Sequence, residues 1–260
     1  MTPPLHASYV LAASPARHLP RVSEQPARHA LVRIQLLKGF QLSAGGRPVP
    51  LPGGAERLLA LLSLSEHPMR RNSVAGILWA DVPEERASGN LRTMIWRARK
   101  PGLEIVESDG ATLQLAASVA VDVREMSSQA LRLLGAGRCL ETDYDDSPLT
   151  GDLLPFWDDD WVVIERERLR QLRLHALERL CLRLTDEGRA AQAIIAGLAA
   201  VRAEPLRESA HRALIAAHLS EGNHAEALAQ YRSFRKILYD EVGLQPSEQL
   251  EQLLGSLTCR

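Results

Sequence analysis

Apolar residues recur every three or four positions in the segment 84–102, and this spacing predicts an amphipathic helix. Two acidic residues open the segment, basic residues fill its last turn, and Pro101-Gly102 ends it. The apolar stripe that would face the core consists of Ala87, Leu91, Met94, Ile95 and Ala98. A rotation of about 100° per residue places on the opposite side or its flanks Arg86, Gly89, Asn90, Arg92, Thr93, Trp96, Arg97, Arg99 and Lys100.

The outward face of this helix carries several positive charges and almost no negative charge after Glu85. Such a surface suits an anionic partner, so we interpret the segment 84–100 as the recognition helix of a DNA-binding unit. The alternative is that bases in a last turn complement the helix dipole and that an arginine-rich face is ordinary solvated surface. Trp96 also has two interpretations, contact with a thymine methyl group or packing on a neighbouring hairpin, and the pattern favours packing.

The residues before this helix predict a small antiparallel sheet and two supporting helices. Short apolar runs broken by glycine and proline indicate strands at residues 31–37, 40–42 and 49–51. Pro48 and Pro50 confine the last of these strands to an edge because proline lacks an N–H. Two amphipathic helices follow, at residues 55–66 and 72–79, and the second is expected to bury Ile77.

A hairpin is predicted after the basic helix. Residues 103–106 and 111–115 read as strands, and Ser108-Asp109-Gly110 between them is a strong turn signal. Two helices, a third helix placed for the major groove and a following hairpin make a winged helix-turn-helix. Thr112 then lies at the tip of the wing, where it is a further candidate DNA contact.

From residue 119 the strand signals fade and the chain predicts helices only. A helix is expected at residues 123–134, an acidic loop at 141–152, and a long helix at 158–187 that begins with three aspartates. The apolar stripe of the long helix is predicted to contain Trp161, Ile164, Leu169, Leu172, Ala176, Leu180 and Leu184.

An internal repeat follows the long helix. Residues 188–194 match residues 222–228 at an offset of 34, and a 34-residue helix-turn-helix period is typical of tetratricopeptide repeats. The small residues expected to let the repeat helices pack closely are Ala191, Ala193, Ala225 and Ala227. Short superhelices of this kind usually bind protein.

The predicted fold class is therefore an α+β N-terminal winged helix-turn-helix followed by an all-α tetratricopeptide-like domain. We place a disordered leader at residues 1–28, the winged helix at 29–118 and the helical domain at 119–260. Residues 1–118 contain 14 basic and 9 acidic residues, whereas the rest contains 17 basic and 23 acidic residues. This asymmetry indicates a nucleic-acid partner for the first part and a protein partner for the second.

Composition and motifs exclude several classes of protein. Cys139, Cys181 and Cys259 are odd in number and far apart, which favours a reducing, cytoplasmic location over a disulfide framework or a zinc site. No apolar run approaches the length of a membrane span, and no Walker A, HExxH or GxSxG motif indicates an enzyme. We expect no cofactor and no metal: the aspartates at 143–160 lack EF-hand spacing, and His211, His218 and His224 lack partner ligands.

Matching segments in both halves resemble the SARP-type (antibiotic-regulatory) bacterial transcriptional activators over residues 30–257. In the first half, the segments are Gly39-Phe40, Gly45–Val49, Leu58–Leu62, Ile77–Pro83, Asn90-Leu91 and Ile95–Lys100. In the second half, they are Trp161 with Glu165-Arg166, Pro205–Glu208, Gly222 with Ala225–Leu228, Tyr231 and Glu241–Pro246. The resemblance implies a winged helix of the response-regulator type followed by a bacterial transcriptional activation domain.

The resemblance also implies a sequence-specific activator that binds promoter repeats in double-stranded DNA and recruits RNA polymerase, through its sigma or alpha subunit, with self-association on the repeats. Arg97 and Arg99 match basic positions of the family's recognition helix. Helix geometry adds Arg86, Asn90, Arg92, Thr93, Trp96 and Lys100 to these. The rival hypothesis is a tetratricopeptide-type adaptor whose winged helix contacts protein only, and a DNA-binding assay separates the two.

Overall fold

The structure is a computed structural model that describes residues 32–135 and 149–258. The predicted leader at 1–28 lies outside the described residues, as do residues 141–148 of the predicted acidic loop. The strands are β1 (Val32–Gln35), β2 (Gln41–Ala44), β3 (Arg47–Pro48), β4 (Met69–Arg70), β5 (Val106–Ser108), β6 (Thr112–Leu115) and β7 (Ala120–Val121). The helices are α1 (Gly53–Leu64), α2 (Arg71–Leu78), α3 (Glu84–Ala98), α4 (Asp122–Leu134), α5 (Asp160–Asp186), α6 (Ala190–Ala203), α7 (Glu208–Ser220), α8 (His224–Val242) and α9 (Glu248–Thr258).

The first sheet has the strand order β3-β2-β1-β7. Strands β1 and β2 pair antiparallel with Ile34 opposite Leu42, and both side chains are buried. Proline does occupy the edge strand, as predicted, but this strand is β3 at Arg47–Pro48 rather than residues 49–51. The parallel pairing of β7 with β1 contradicts the expectation of helices only after residue 119.

Three helices and a second sheet complete the N-terminal part. Helices α1 and α2 occupy the two predicted segments, and α3 packs against both of them. Strand β4, between α1 and α2, joins the predicted hairpin in a sheet of order β4-β6-β5. The prediction that Ile77 is buried is wrong, because α2 turns Val74, Ala75 and Leu78 inward and leaves Ile77 on the opposite side.

Helices α4 to α9 form the C-terminal part. The turns after α5 and α7 share an equivalent hydrogen bond: the N–H of Gly188 donates to the carbonyl oxygen of Thr185 and that of Gly222 to the carbonyl oxygen of Leu219, both at 3.0 Å. Both glycines have positive φ, 73° and 80°, a conformation that other residues rarely adopt. The two turns are 34 residues apart, so the predicted repeat corresponds to two equivalent helix-turn-helix connections.

Two details of the predicted helical packing are wrong. Ala193 and Ala227 are buried at equivalent positions, but Ala191 and Ala225 are exposed and do not contribute to close packing. Ile164 is 68% exposed, because α5 faces the core with Val162 and Leu169 instead. The other residues of the predicted α5 stripe are buried or half-buried.

One hydrophobic core runs from β1 to α7 and so joins the two parts of the chain. Asp122, at the start of α4, accepts hydrogen bonds from the backbone N–H groups of Leu36 and Leu37 at 3.0 Å. Arg124 of α4 donates to three carbonyl oxygens at the end of α1, those of Leu62, Ser63 and Ser65. These contacts attach the helices of the C-terminal part directly to the sheet and to α1.

Candidate nucleic-acid interface

Helix α3 is held on the protein by the predicted apolar stripe. Ala87, Leu91, Ile95 and Ala98 are buried against α1 and α2, and Met94 is half-buried. A Cβ atom built on Gly54 would lie 2.6 Å from the Met94 sulfur, so the glycine lets α3 approach the start of α1. The stripe fixes which side of α3 faces outward.

The structure places most of the predicted site residues on the exposed side of α3. Six are exposed and three are half-buried; the exposed ones are Arg86, Arg92, Thr93, Trp96, Arg97 and Arg99, and the half-buried ones are Asn90, Lys100 and Thr112. The helix ends at Ala98, earlier than predicted, and Arg99 has extended backbone angles as its C-cap. Pro101 accounts for this end because it disfavours helical geometry at the residue before it.

The basic side chains of this surface have no partner within the described ranges. The side chains of Arg86, Arg92, Arg97, Arg99 and Lys100 form no hydrogen bond and no ion pair with residues 32–135 or 149–258. Many arginines elsewhere are paired with carboxylates, and these are Arg33, Arg57, Arg168, Arg170, Arg173 and Arg207. The guanidinium groups at α3 are therefore available to an external anion. We call these five residues the basic face.

Two side-chain hydrogen bonds involve α3, one at its start and one in its middle. The Asn72 side chain donates to Glu84 Oε1 at 3.1 Å and thus ties the start of α2 to the start of α3. The Thr93 hydroxyl donates to the carbonyl oxygen of Gly89 at 3.1 Å, so its hydrogen is already used within the helix. Thr93 can still present its methyl group and an oxygen lone pair outward.

The hairpin β5–β6 lies against β4 and has an acidic surface. Asp109 Oδ1 accepts the N–H groups of Thr112 at 2.6 Å and Ala111 at 3.0 Å, and these bonds lower the pKa of Asp109. Thr112 pairs with Arg70 in the middle strand β6, just after the turn rather than at its tip. Residues 103–118 contain Glu104, Glu107 and Asp109 but no lysine or arginine, so the hairpin offers phosphates no positive charge.

Arg70 and Arg71 border the same surface and were not among the predicted site residues. The Arg70 side chain is exposed and has no partner in the described part of the chain, whereas Arg71 Nη1 donates to Ser108 Oγ at 3.1 Å. Two consecutive arginines directly before the apolar pattern of α2 are the signal that could have identified them.

Trp96 does not pack on the hairpin, so that interpretation is wrong. Its side chain is 73% exposed and lines an open hollow at the end of α3. The other residues that line the hollow are Pro52, Arg97, Arg99, Lys100 and Pro101.

Neither a metal centre nor a membrane span competes with this surface in the described ranges. No group of three histidine, cysteine, aspartate or glutamate side chains is placed to hold a metal ion there. Within the same ranges, every helix is too short or too polar to cross a bilayer. His211 is a core residue: it stacks on Phe234 with ring centroids 4.2 Å apart and hydrogen-bonds Gln230.

A small sheet, three helices with an outward basic third helix, and a following hairpin define a winged-helix regulator that continues into a helical domain. The family model of the bacterial transcriptional activator domain matches residues 121–257, which is more than half of the chain. The chain belongs to this family, and its relatives identify it as a SARP-type transcriptional activator.

Two curated relatives are regulatory proteins named AfsR. The protein of Streptomyces coelicolor is 34% identical over 216 residues, which cover 75% of this chain and 21% of the relative. The protein of Streptomyces griseus is 30% identical over 240 residues, which cover 85% of this chain and 23% of the relative. The chain thus matches less than a quarter of the length of these relatives.

A solved structure has the same fold. Mycobacterium tuberculosis EmbR, in complex with a low-affinity phosphopeptide, superimposes with a TM-score of 0.64 at 21% identity. The match covers 86% of this chain and 64% of that chain.

Proposed function

We propose that this chain is a sequence-specific DNA-binding activator, in which α3 enters the major groove of promoter DNA and the helical domain recruits RNA polymerase. The observation that supports DNA binding is the basic face, because its four arginines are exposed, Lys100 is half-buried, and none of the five side chains is paired within the described ranges. Phosphate oxygens would satisfy such groups, and guanine edges accept the two parallel hydrogen bonds that an arginine offers.

Arg97 and Arg99 are the residues that we propose as central to binding. Both are exposed, Arg97 in the last turn of α3 and Arg99 at its C-cap, beside the buried Ile95 and Ala98 that anchor this turn. Arg86, Arg92 and Lys100 would contact flanking phosphates, and Asn90, Thr93 and Thr112 would add polar contacts. The acidic hairpin makes Thr112 the weakest of these candidates, since Asp109 lies beside it.

We further propose that α5 to α8 are tetratricopeptide-like and bind the sigma or alpha subunit of RNA polymerase. The equivalent turns at Gly188 and Gly222, 34 residues apart, support the repeat assignment. The membership of residues 121–257 in the activator-domain family supports a role in activation. Copies of the chain would bind adjacent promoter repeats and contact each other there. The division at residues 118 and 119 stays a prediction, and β7 pairs across it with β1.

A DNA-binding experiment with matched variants tests the proposal. Genomic fragments bound by the full chain are isolated and sequenced, and a bound fragment is then used in gel shifts. The variant Arg97→Ala/Arg99→Ala should lose the shift while its circular dichroism is unchanged. The control Arg202→Ala/Arg232→Ala removes two exposed arginines, also unpaired in the described ranges, from α6 and α8, and should bind like the parent.

The outcomes separate activator from adaptor. A shift that weakens with salt and is lost only in the α3 variant supports DNA binding. No shift with any genomic fragment would support the adaptor hypothesis instead. Recruitment is tested by adding RNA polymerase to the protein–DNA complex, where a slower-migrating complex is expected with the full chain.

A further inference from the structure

Trp96 differs from the other tryptophans of the chain in its exposure. Trp79, Trp157 and Trp161 are half-buried against the core, whereas Trp96 is 73% exposed. Among residues 32–135 and 149–258 its indole ring has no aromatic neighbour in contact and no hydrogen-bond partner. The indole ring lies largely outside the core in this position, so most of its surface is available to a partner.

The surroundings of Trp96 indicate what kind of partner it fits. The hollow beside it combines the rings of Pro52 and Pro101 with the cations of Arg97, Arg99 and Lys100, and no acidic residue lines it. A partner that presents negative charge and an apolar group close together would be complementary to this surface. The major groove of DNA does so, because phosphates line both of its edges and thymine projects a C5 methyl group into it.

We propose that Trp96 contacts the C5 methyl group of a thymine in the major groove, and so determines part of the sequence specificity. This inference rests on the proposed function. Trp96 lies three residues after Thr93 and four after Arg92, on the same exposed side of α3. Base faces are stacked within a duplex, so a side chain in the major groove reaches base edges only. Side chains that wedge between bases enter from the minor groove.

The test removes the methyl group from the DNA and the indole from the protein. In a fragment bound by the full chain, each thymine is replaced in turn by deoxyuridine, and dissociation constants are measured by fluorescence anisotropy. At one thymine the replacement should weaken binding by the parent chain about fourfold, the effect expected for one buried methyl group. The variant Trp96→Ala should bind the thymine and uracil duplexes equally at this position.

Three further variants make the result specific. Trp96→Phe retains an aromatic face and should keep part of the thymine preference. Arg97→Ala should weaken binding to both duplexes by the same factor, because it removes a charge contact. Phe156→Ala removes another exposed aromatic side chain, 85% exposed and outside α3, and should preserve the full preference.

Each outcome decides the proposal. A thymine dependence that disappears only when the indole is removed supports the contact. Equal thymine-to-uracil ratios for the parent chain and Trp96→Ala at every position would overturn it and leave DNA binding by the basic face intact. No salt-sensitive binding by the parent chain would instead overturn the proposed function and the Trp96 contact with it.

Discussion

The salt dependence of DNA binding can be calculated from the basic face. Arg97→Ala/Arg99→Ala is the perturbation, because both side chains are exposed and neither has a partner in residues 32–135 or 149–258. Their removal breaks no side-chain hydrogen bond and no ion pair within these residues, so the folded chain should persist. Any change in binding then reports on charges that face the DNA.

The magnitude follows from counterion release. If the five cations of the basic face each neutralise one phosphate, log affinity falls against log salt with a slope of about −4.5. With three cations the slope becomes about −2.7. Between 50 mM and 200 mM salt, the affinity of the parent chain should therefore drop about 500-fold and that of the variant about 40-fold.

Fluorescence anisotropy over that salt range measures both slopes on one labelled fragment. The control Arg202→Ala/Arg232→Ala should retain the slope of the parent chain, since its lost charges lie on α6 and α8. Equal slopes for the parent and the α3 variant would refute the reasoning, because the two arginines would then release no counterions. A shallow slope for the parent chain would show that most of the basic face does not meet phosphate.

The remaining predictions concern the stability of the scaffold that presents the basic face. Leu91→Ala empties a buried position of α3 and should lower the free energy of unfolding, measured in urea, by about 2–5 kcal/mol. Thr93→Ala on the exposed side should lower it by less than about 1 kcal/mol. Similar losses for the two variants would contradict the assigned buried and exposed sides of α3. Arg166→Ala removes donors to three carbonyl oxygens at 2.6–2.8 Å and should cost about 2–4 kcal/mol, so an unchanged urea midpoint would show that water replaces them. Burial lowers the pKa of His211, so the neutral ring stabilises the fold above about pH 6.5, and this stability is lost as the pH falls through the folded pKa. Urea midpoints at about pH 7 and pH 5 should differ more for the parent than for His211→Gln, and equal differences would exclude His211 as the cause.

The elements that position α3 could be predicted because their signals are local. The apolar stripe from Ala87 to Ala98 and the Ser108-Asp109-Gly110 turn each depend on neighbours within a few residues. The exposure of the basic face followed from the same stripe, since burying one side of a helix exposes the other. The confirmed predictions thus come from local sequence patterns, namely the periodicity of a helix and the residues of a turn.

The wrong predictions share a non-local cause. Strand β7 has two residues and exists only because β1, more than 80 positions earlier, supplies its hydrogen bonds. Val162 rather than Ile164 faces the core because the neighbours of α5 set its rotation, and composition does not reveal that choice. The exposure of Trp96 likewise depends on the distance between α3 and the hairpin, which the sequence pattern does not contain.

Arg166 and Arg173 show a signal that was present in the sequence but not used. Both lie within the period of the buried α5 stripe, where a charged residue is unexpected. Arg166 donates to the backbone of Leu153, Leu154 and Trp157, and Arg173 Nη2 pairs with Asp152 at 3.2 Å. Arginines at core-facing positions of a helix therefore indicate a backbone segment that crosses the helix and whose carbonyl oxygens accept hydrogen bonds from them.

These arginines also connect α3 mechanically to the helical domain, and the proposed DNA binding would be transmitted along this connection. The segment that Arg166 holds pairs with the end of β1, where Leu37 bridges to Leu153 and the Leu154 N–H donates to Leu36 at 3.0 Å. Arg124 attaches α4 to the end of α1, and α1 packs directly on α3. Because a shared core and these hydrogen bonds replace a flexible linker, the groove that α3 occupies would set the direction in which the helical domain points. Under the proposed function, the position of the polymerase relative to a promoter repeat would then depend on an angle as well as on a distance.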